Sequence, residues 1–323
     1  MPKTASYSSP TLDPNRPPER LHWAAGLQIP HFLKRALPRR VINGLRELKL
    51  RILTRDFPRH IQFEQSMEDV LASASMSIVV PVHDAPLVTR RCLASLEKYA
   101  RKAEIIIVND GSRLVETSRV IEGFSNENGW KIVNHVNPLG HSAACGAGAS
   151  LATRPYLCFL NSDTVVTPWC WRLVKEVFEY DQKIGVAGPS TSAGNLQTLP
   201  LAANLLPYWN DNQICNFAKR LLAECLDPIV VDLTWVSGFS FFIRRSLWEE
   251  LGGFDRNLPD YGNEIELCKR VAEKGYRMVW IRNAYIHHFG KKSYRETIGD
   301  DGILARIRVA EIYTKQKHHT FYL

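Results

Sequence analysis

Three short apolar segments, rich in β-branched residues, each run directly into a small polar cluster that contains an aspartate. Their sequences are SIVVPVHDA at 77–85, IIIVNDGS at 105–112 and YLCFLNSDT at 156–164. Apolar runs of this length predict buried strands, and the helical spacing between them predicts parallel pairing in one sheet. Ligands bind beyond the carboxyl ends of parallel strands, so Asp84, Asp110 and Asp163 are expected to face one cleft.

Three carboxylates at one edge of a sheet repel one another, so a positive group is expected among them. A divalent metal ion with a phosphate ligand is the simplest such group, because Mg²⁺ is commonly held by one or two carboxylates together with substrate phosphates. The pattern therefore points to a phosphate compound bound through a cation.

The remaining pattern from residue 76 onward also alternates between strand and helix signals. Helices are predicted at 87–100, 114–124, 142–152, 169–180, 246–251 (with Ser246 as its cap) and 264–274. Strands are predicted at 131–134, 184–187, 234–243 and 276–281, and an irregular or helical insertion over the cleft at 196–230. The expected fold class is α/β, with a mixed, mostly parallel sheet flanked by helices.

The first 70 residues have a different composition. Residues 1–30 are predicted to be a disordered tail, because the first 20 contain five prolines and show no apolar periodicity. Residues 31–70 are predicted to be a basic amphipathic helical extension. Its helix at 39–55 has an apolar face that includes Val41, Leu45, Leu48 and Ile52.

The extension also carries most of the positive charge. Residues 31–60 contain nine basic and two acidic side chains, a net charge of +7, whereas the whole chain has +8. A basic amphipathic helix can lie on an anionic membrane surface, or it can pack on the main domain or on another subunit. Because the rest of the chain is nearly neutral, no nucleic-acid partner is expected.

Composition restricts the class of protein further. The chain has 323 residues, 45% apolar and 23% charged, as is ordinary for a soluble protein of one large domain or two small ones. Its seven cysteines are irregularly spaced without a CxxC, which argues against a disulfide framework or a zinc site.

No apolar run approaches the roughly 20 residues of a membrane span. A cytoplasmic protein is expected, peripheral on the inner membrane face if the extension binds lipid.

Two of the aspartates have specific chemical interpretations. Asp110, followed by glycine, can accept hydrogen bonds from a base or a ribose hydroxyl, although an Asp-Gly turn is the plainer interpretation. Asp163, in NSD, is a suitable ligand for a hard cation at the edge of a sheet, although it can equally cap the next helix.

Two further clusters lie near the C-terminal end. In PDYGNEIELCKR, Glu264 stands at the start of a helix and could deprotonate an incoming hydroxyl, or it could simply compensate the helix dipole. In AYIHHFGKKSY, His287 or His288 could be a ligand for a transition-series cation, or a structural residue.

In this order, the clusters resemble the family-2 glycosyltransferases, which have the GT-A nucleotide-sugar-binding fold. The motifs are SIVVPVHDA, VNDGS, NPLGHSAACGAG, FLNSDT, VSGFSFFIRR with LGGFD, and the last acidic motif with its downstream histidine. The similarity covers about two thirds of the chain and is greatest to the bacterial branch that builds surface polysaccharides or glycosylates proteins, including rhamnosyltransferase-like enzymes. It implies a GT-A domain at 71–323, with a nucleotide-binding half at 76–190, an acceptor-binding half at 191–295 and a C-terminal helical tail at 296–323.

The resemblance also implies residue roles. The nucleotide-sugar-binding residues would be Pro81, His83, Asp84, Asp110, Gly140, Ser162 and Asp163. The sugar and acceptor pocket would contain Trp235, Gly238 and Asn263. Asp163 and His288 would hold Mn²⁺ or Mg²⁺, and Glu264 would be the catalytic base.

Together these roles imply an inverting transfer. A sugar would pass from a UDP- or dTDP-linked donor to a hydroxyl of a glycan, lipid-linked or protein acceptor. The sequence leaves the oligomeric state open.

The chain departs from the family pattern at three positions. The usual Glu-Asp pair is Asn263-Glu264 here, the acidic metal motif begins with Asn161, and Cys145 stands where the family often has asparagine. These departures keep a degenerate nucleotide-sugar-binding or scaffolding protein open as an alternative. A sugar nucleotidyltransferase is the nearest enzymatic alternative. A Rossmann dehydrogenase is disfavoured because no GxGxxG follows the first strand.

Overall fold

The β-branched runs of the sequence form the strands of an α/β fold. The computed structural model describes residues 66–199, 210–223, 229–290 and 292–318. The strands described there are β1 (Met76–Val82), β2 (Glu104–Asp110), β3 (Lys131–His135), β4 (Tyr156–Leu160), β5 (Thr164–Val165), β6 (Ile184–Ser190), β7 (Val230–Leu233), β8 (Ser240–Arg244), β9 (Arg277–Tyr285) and β10 (His287–His288). The predicted tail at 1–30 and nearly all of the basic extension at 31–70 lie outside the described residues.

Eight of these strands form one sheet in the order β3-β2-β1-β4-β8-β6-β9-β7. Strand β1 pairs in parallel with β2 and β4, β2 with β3, and β6 with β9, whereas β8 and β7 run antiparallel to their neighbours. The predicted mixed, mostly parallel sheet is therefore confirmed. The polar ends of β1, β2 and β4 lie on adjacent strands at one edge, where a ligand site is expected.

Helices cover both faces of the sheet. They are α1 (Met67–Ala72), α2 (Pro86–Tyr99), α3 (Val115–Asn128), α4 (His141–Ala149), α5 (Cys170–Tyr180), α6 (Asp211–Ala223), α7 (Arg245–Leu251), α8 (Asn263–Glu273) and α9 (Lys292–His318). Strand β1 shows why two layers form: Ile78 and Val80 belong to one apolar cluster and Val79, between them, to the other. Alternate side chains of a strand point to opposite faces, so a fully apolar strand must be covered on both.

Two local predictions were wrong. The segment 234–243 is not one strand, since β7 ends at Leu233 and β8 begins at Ser240 in a different part of the sheet. Because Val236 and Phe239 are buried in the intervening loop too, apolar positions recur from one strand into the next, and Thr234 and Ser237 do not separate them clearly. Ser246 is not the cap of α7, because Arg244 occupies that position and Ser246 lies within the helix.

Helix α9 is anchored to the loop and helix that precede β9. Lys317 lies 2.7 Å from both Asp255 and Glu266. Burial alone would raise the pKa of Glu266, but hydrogen bonds from Arg270 and Lys317 lower it overall. The predicted C-terminal helical tail is thus helical where it is described. In the parts of the chain that the structure describes, no helix combines the length and the hydropathy needed to cross a bilayer.

Helix α4 allows a paired test of packing on the sheet. A Cβ on Gly148 would overlap Val79 Cγ1, whereas a Cβ on Gly146 would meet nothing within 4 Å. We expect Gly148→Ala to lower the free energy of unfolding by about 1–3 kcal/mol through overpacking. Gly146→Ala should raise it by about 0.5–1 kcal/mol through helix propensity. Urea unfolding of both variants measures the difference, and equal stabilities would show that α4 does not pack on β1 in this way.

The surroundings of Glu104, at the start of β2, predict that the fold loses stability in acid. Burial alone would raise the pKa of Glu104, but hydrogen bonds from Lys131, Ser77 and Thr153 lower it to about 2. A carboxyl whose pKa is lower in the folded state stabilises the fold above its unfolded pKa, and that stabilisation is lost as the pH falls towards the folded pKa.

We therefore expect the contribution of Glu104 to the free energy of unfolding to be nearly constant above about pH 5 and to decrease between about pH 5 and pH 2. Glu104→Gln should lower stability at pH 7 and make the decrease shallower, as measured by urea unfolding at each pH. An unchanged pH dependence in the variant would contradict the role given to Glu104.

Candidate active site

The end of β1 turns sharply into α2 and contacts the end of β2. His83 Nδ1 donates to the carbonyl oxygen of Asp110 at 2.8 Å. Asp84 has a left-handed backbone, with φ of 53°, and its carboxylate accepts from the backbone N–H groups of Arg113 and Leu114. Asp84 therefore holds the loop after β2 in place at the rim of the predicted nucleotide-binding half.

The Asp110 carboxylate organises the loop that leads into α4. Its Oδ1 accepts from the backbone N–H of Leu139 and from His135 Nδ1, at 2.9 and 2.7 Å, and its Oδ2 accepts from the N–H of Gly140 at 2.9 Å. Two of the three aspartates are thus compensated by protein donors, and the expected clustering of all three around a cation is not what the structure shows. The register of strands β2 and β3 explains the contact between Asp110 and His135, because the two residues lie opposite each other in that pair.

Gly140 is the residue before α4 and has φ of 90°, a conformation that favours glycine. A Cβ at this position would lie 2.8 Å from Pro259 Cβ and 3.2 Å from Asp260 Oδ1. The loop before α8 therefore lies directly against the start of α4. This contact joins the two halves of the site that the sequence assigned to nucleotide and acceptor.

Asp163 and His288 meet through a small antiparallel ladder. Strands β5 and β10 pair Thr164 with His288, which brings His288 Nε2 to 3.1 Å from Asp163 Oδ1. The histidine is further held because its Nδ1 donates to the carbonyl of Ala193 and its ring stacks on Phe239. The two residues predicted as metal ligands are 125 positions apart in the chain and adjacent in the fold.

His287 is placed differently. Its Nδ1 is 2.9 Å from the hydroxyl of Tyr285, on the other side of the β10 strand from His288. Burial, with His288 and Arg91 nearby, lowers the pKa of His287 to about 3. The choice of His288 over His287 as the candidate ligand therefore agrees with the direction of the two side chains.

The donor set at Asp163 and His288 fits a divalent cation. Both side chains are at most 10% exposed, and one carboxylate with one imidazole suits Mn²⁺. Asp163 Oδ1 and His288 Nε2 lie 3.1 Å apart, close enough for both to bind one such cation. The described residues contain no group of three or more His, Cys, Asp or Glu side chains that could hold a metal, so phosphate oxygens would have to complete the shell.

Glu264 lies on the other side of the site, at the second position of α8. A Cβ on Gly238 would be 3.6 Å from the Glu264 carboxylate, so the missing side chain leaves this carboxylate accessible from the loop between β7 and β8. Trp235, in the same loop, is half-buried and packs against the apolar cluster beneath α8. Gly238 thus lies beside Glu264, and Trp235 precedes Gly238 by three residues in the same loop.

The Asn263 side chain points towards α4. It is 2% exposed, its amide group donates to Ser142 Oγ at 2.8 Å and to His141 Nδ1 at 3.2 Å, and its oxygen accepts from the N–H of Glu264. The structure therefore directs Asn263 towards α4 rather than towards the predicted sugar and acceptor pocket.

Several neighbours of the site were missed from the sequence. His135 and His141 contact the Asp110 and Asn263 side chains, and Ser192 exchanges hydrogen bonds with the backbone of His288. Two of them had a usable signal, since His135 ends a strand beside VNDGS and His141 lies within the motif NPLGHSAACGAG. Pro81 and Ser162 lie at the ends of β1 and β4 as predicted, and the roles given to them remain predictions.

Comparison with known proteins identifies a family model and several relatives that the chain resembles. The family model described as glycosyl transferase family 2 matches residues 77–250. The O-antigen biosynthesis protein RfbC of Myxococcus xanthus is 25% identical over 234 residues, which are 68% of this chain and 18% of that protein. The probable glycosyltransferase YdaM of Bacillus subtilis is 26% identical over 234 residues, which are 69% of this chain and 53% of YdaM.

A shorter match links the chain to a rhamnosyltransferase. The N-acetylglucosaminyl-diphospho-decaprenol L-rhamnosyltransferase of Mycobacterium tuberculosis is 29% identical over 86 residues, which are 27% of each protein. The chain spans about half or less of the length of these curated relatives. Among solved structures, a Pyrobaculum calidifontis mannosyltransferase in complex with GDP-Man and Mn²⁺ has a TM-score of 0.50 at 15% identity, covering 79% of this chain and 68% of that one. This similarity shows the fold alone.

Proposed function

Because the chain belongs to glycosyltransferase family 2, we propose that it moves a sugar from a nucleoside diphosphate sugar to an acceptor hydroxyl. The observation that carries the proposal is the Asp163–His288 pair, which the fold assembles at the carboxyl edge of the sheet with a 3.1 Å separation. This edge is where open α/β sheets bind their ligands.

The nucleotide would lie over the ends of β1 and β2. His83, Asp84 and Asp110 fix the loops around this position, and the start of α4 at Gly140 presents backbone to it. UDP or dTDP is the proposed nucleotide. Pro81 and Ser162 would complete the donor pocket.

Asp163 and His288 would hold Mn²⁺ or Mg²⁺ together with the donor diphosphate. The bound ion would supply positive charge to stabilise the departing diphosphate. The mannosyltransferase with a similar fold contains Mn²⁺ in its complex, which supports this assignment by analogy.

Glu264 is proposed as the general base of an inverting transfer. It would take the proton of the acceptor hydroxyl as the acceptor oxygen bonds to the anomeric carbon and the bond from that carbon to the diphosphate breaks. Attack from the face opposite the leaving group inverts the anomeric configuration. Gly238 leaves space beside the carboxylate, and Trp235 would contact the sugar or the acceptor.

The acceptor is proposed to be a glycan or lipid-linked glycan in surface polysaccharide synthesis. The names of the relatives, an O-antigen biosynthesis protein and a decaprenol-linked rhamnosyltransferase, support this class. Consumption of the donor with a cell-envelope protein extract, rather than with the lipid extract of the test below, would indicate a protein acceptor instead.

A panel of nucleotide sugars tests the function directly. The melting temperature is measured with each UDP-, dTDP- and GDP-sugar, with and without Mn²⁺, because a ligand at a hundred times its Kd adds about 2.7 kcal/mol of stability. We expect one sugar nucleotide to raise the melting temperature by several degrees only with Mn²⁺, and to be consumed when a cell-envelope lipid extract is added. Binding without consumption under any condition would favour the degenerate binding protein.

A further inference from the structure

One imidazole outside the residues assigned above lies between the two acidic motifs. His141, the first residue of α4, accepts a hydrogen bond from Asn263, and the side chain of Asn161 is a hydrogen-bond partner of the same ring. Asn263 directly precedes Glu264, and Asn161 stands two residues before Asp163. A single side chain thus connects the helix of the proposed base with the loop of the proposed metal ligand.

The direction of these hydrogen bonds follows from the neighbours of Asn263. Its amide oxygen accepts from the N–H of Glu264 at 2.9 Å, so its NH₂ group must face Ser142 and His141. Nδ1 of His141 is then the acceptor, and a neutral ring carries its proton on Nε2. Burial lowers the pKa of His141 to about 4, so the ring is neutral near pH 7.

The partners of His141 coincide with the departures from the family pattern. Asn161 and Asn263 are amides where that pattern has carboxylates, and Cys145, whose Sγ lies 3.6 Å from His141 Nε2, stands where asparagine is usual. Carboxylates on both sides would draw a second proton onto the ring, whereas amides and a thiol suit an uncharged imidazole.

We propose that His141 is a positioning residue, whose imidazole between Asn263 and Asn161 fixes Glu264 relative to Asp163 for the transfer step. The proposal rests on the proposed function for its catalytic consequence. The hydrogen-bonded connection itself is independent of that function, and the two can be tested separately.

The kinetic test replaces the ring while keeping its shape. His141→Phe retains an aromatic side chain against Phe254 and removes both hydrogen bonds. We expect kcat to fall about ten- to a hundredfold, since small misplacements of reacting groups have effects of this size, with the donor KM within about threefold. His141→Gln, which can both accept and donate, should recover most of the loss. Gly146→Ala on the same helix is the control, because the added Cβ would meet no other atom within 4 Å.

The spectroscopic test locates the proton. Protein with ¹⁵N-labelled histidine is measured at pH 7.5, with His141→Gln identifying the signals of this ring. We expect His141 to be neutral and protonated on Nε2, and Asn263→Asp to move the proton to Nδ1, because a carboxylate can only accept.

Protonation of Nδ1 in the wild-type protein would overturn the proposal, and so would wild-type turnover by His141→Phe. If no nucleotide sugar supports transfer by the wild-type protein, the proposed function fails, while the position of the proton still decides whether His141 makes this connection.

Discussion

Glutamine in place of Glu264 is expected to lower kcat at least about a hundredfold and to leave the donor affinity within about threefold. The amide has the size of the carboxylate and fits the space beside Gly238, but it cannot take a proton from the acceptor hydroxyl. General base catalysis contributes about 10²–10⁴ in rate, which sets the expected loss. Initial rates at saturating donor, together with a donor titration, separate turnover from binding.

Glu273→Gln is the matched control for this variant. It makes the same chemical change on the same helix, at an exposed position about two and a half turns further along α8. Its rate should equal that of the wild type. Normal turnover by Glu264→Gln would remove Glu264 as the base and direct attention to another group on the acceptor side.

Asp163→Ala is expected to reduce turnover by at least about a hundredfold, the loss typical when a group that stabilises transition-state charge is removed. It should also abolish the Mn²⁺-dependent rise in melting temperature with the donor. The fold should be retained, because the ladder between β5 and β10 and the hydrogen bond from the N–H of Phe289 to the carbonyl of Asp163 use backbone atoms. Circular dichroism checks the fold, and rates across a Mn²⁺ titration measure the effect.

Asp301→Ala, at an exposed position of α9, serves as the control for the loss of one carboxylate. It should leave both the rate and the Mn²⁺ response unchanged. Asp163→Ala with an unaltered Mn²⁺ dependence would place the cation elsewhere in the protein and would leave His288 without the proposed role.

The parts of the fold that the sequence predicted best are those where composition changes abruptly. Strands β1, β2 and β4 are continuous apolar runs that end at HDA, DGS and NSD, and the position of their aspartates at one edge follows from parallel pairing. Helices α2 and α3 between them have an apolar stripe at helical spacing, whereas α4 is rich in alanine and glycine and has none.

The segment around β7 and β8 could not be divided correctly, because buried apolar residues such as Val236 and Phe239 continue through the loop between them. The pairing of His288 with Thr164 was also beyond a sequence argument. Strands β5 and β10 contain two residues each, too few to show any periodicity, and they are brought together only by the long connection between them. The likeness to known motifs, rather than spacing, suggested His288.

The direction of individual polar side chains was the least predictable feature. Asn263 was assigned to the sugar and acceptor pocket, but its amide is used by Ser142 and His141 on a helix 120 residues earlier in the chain. Such contacts depend on how α8 packs beside α4, which no local pattern encodes. The basic extension and its membrane hypothesis remain predictions, since they lie outside the described residues.

A crystal of the protein soaked with UDP and MnCl₂, or with the nucleotide selected by the melting panel, tests the central assignment most directly. Anomalous scattering at the manganese absorption edge is expected to show one strong peak between Asp163 and His288, in contact with the diphosphate, with the sugar position facing Glu264. A peak and a nucleotide away from these residues, or a nucleotide bound over β1 and β2 with no cation beside Asp163, would contradict it.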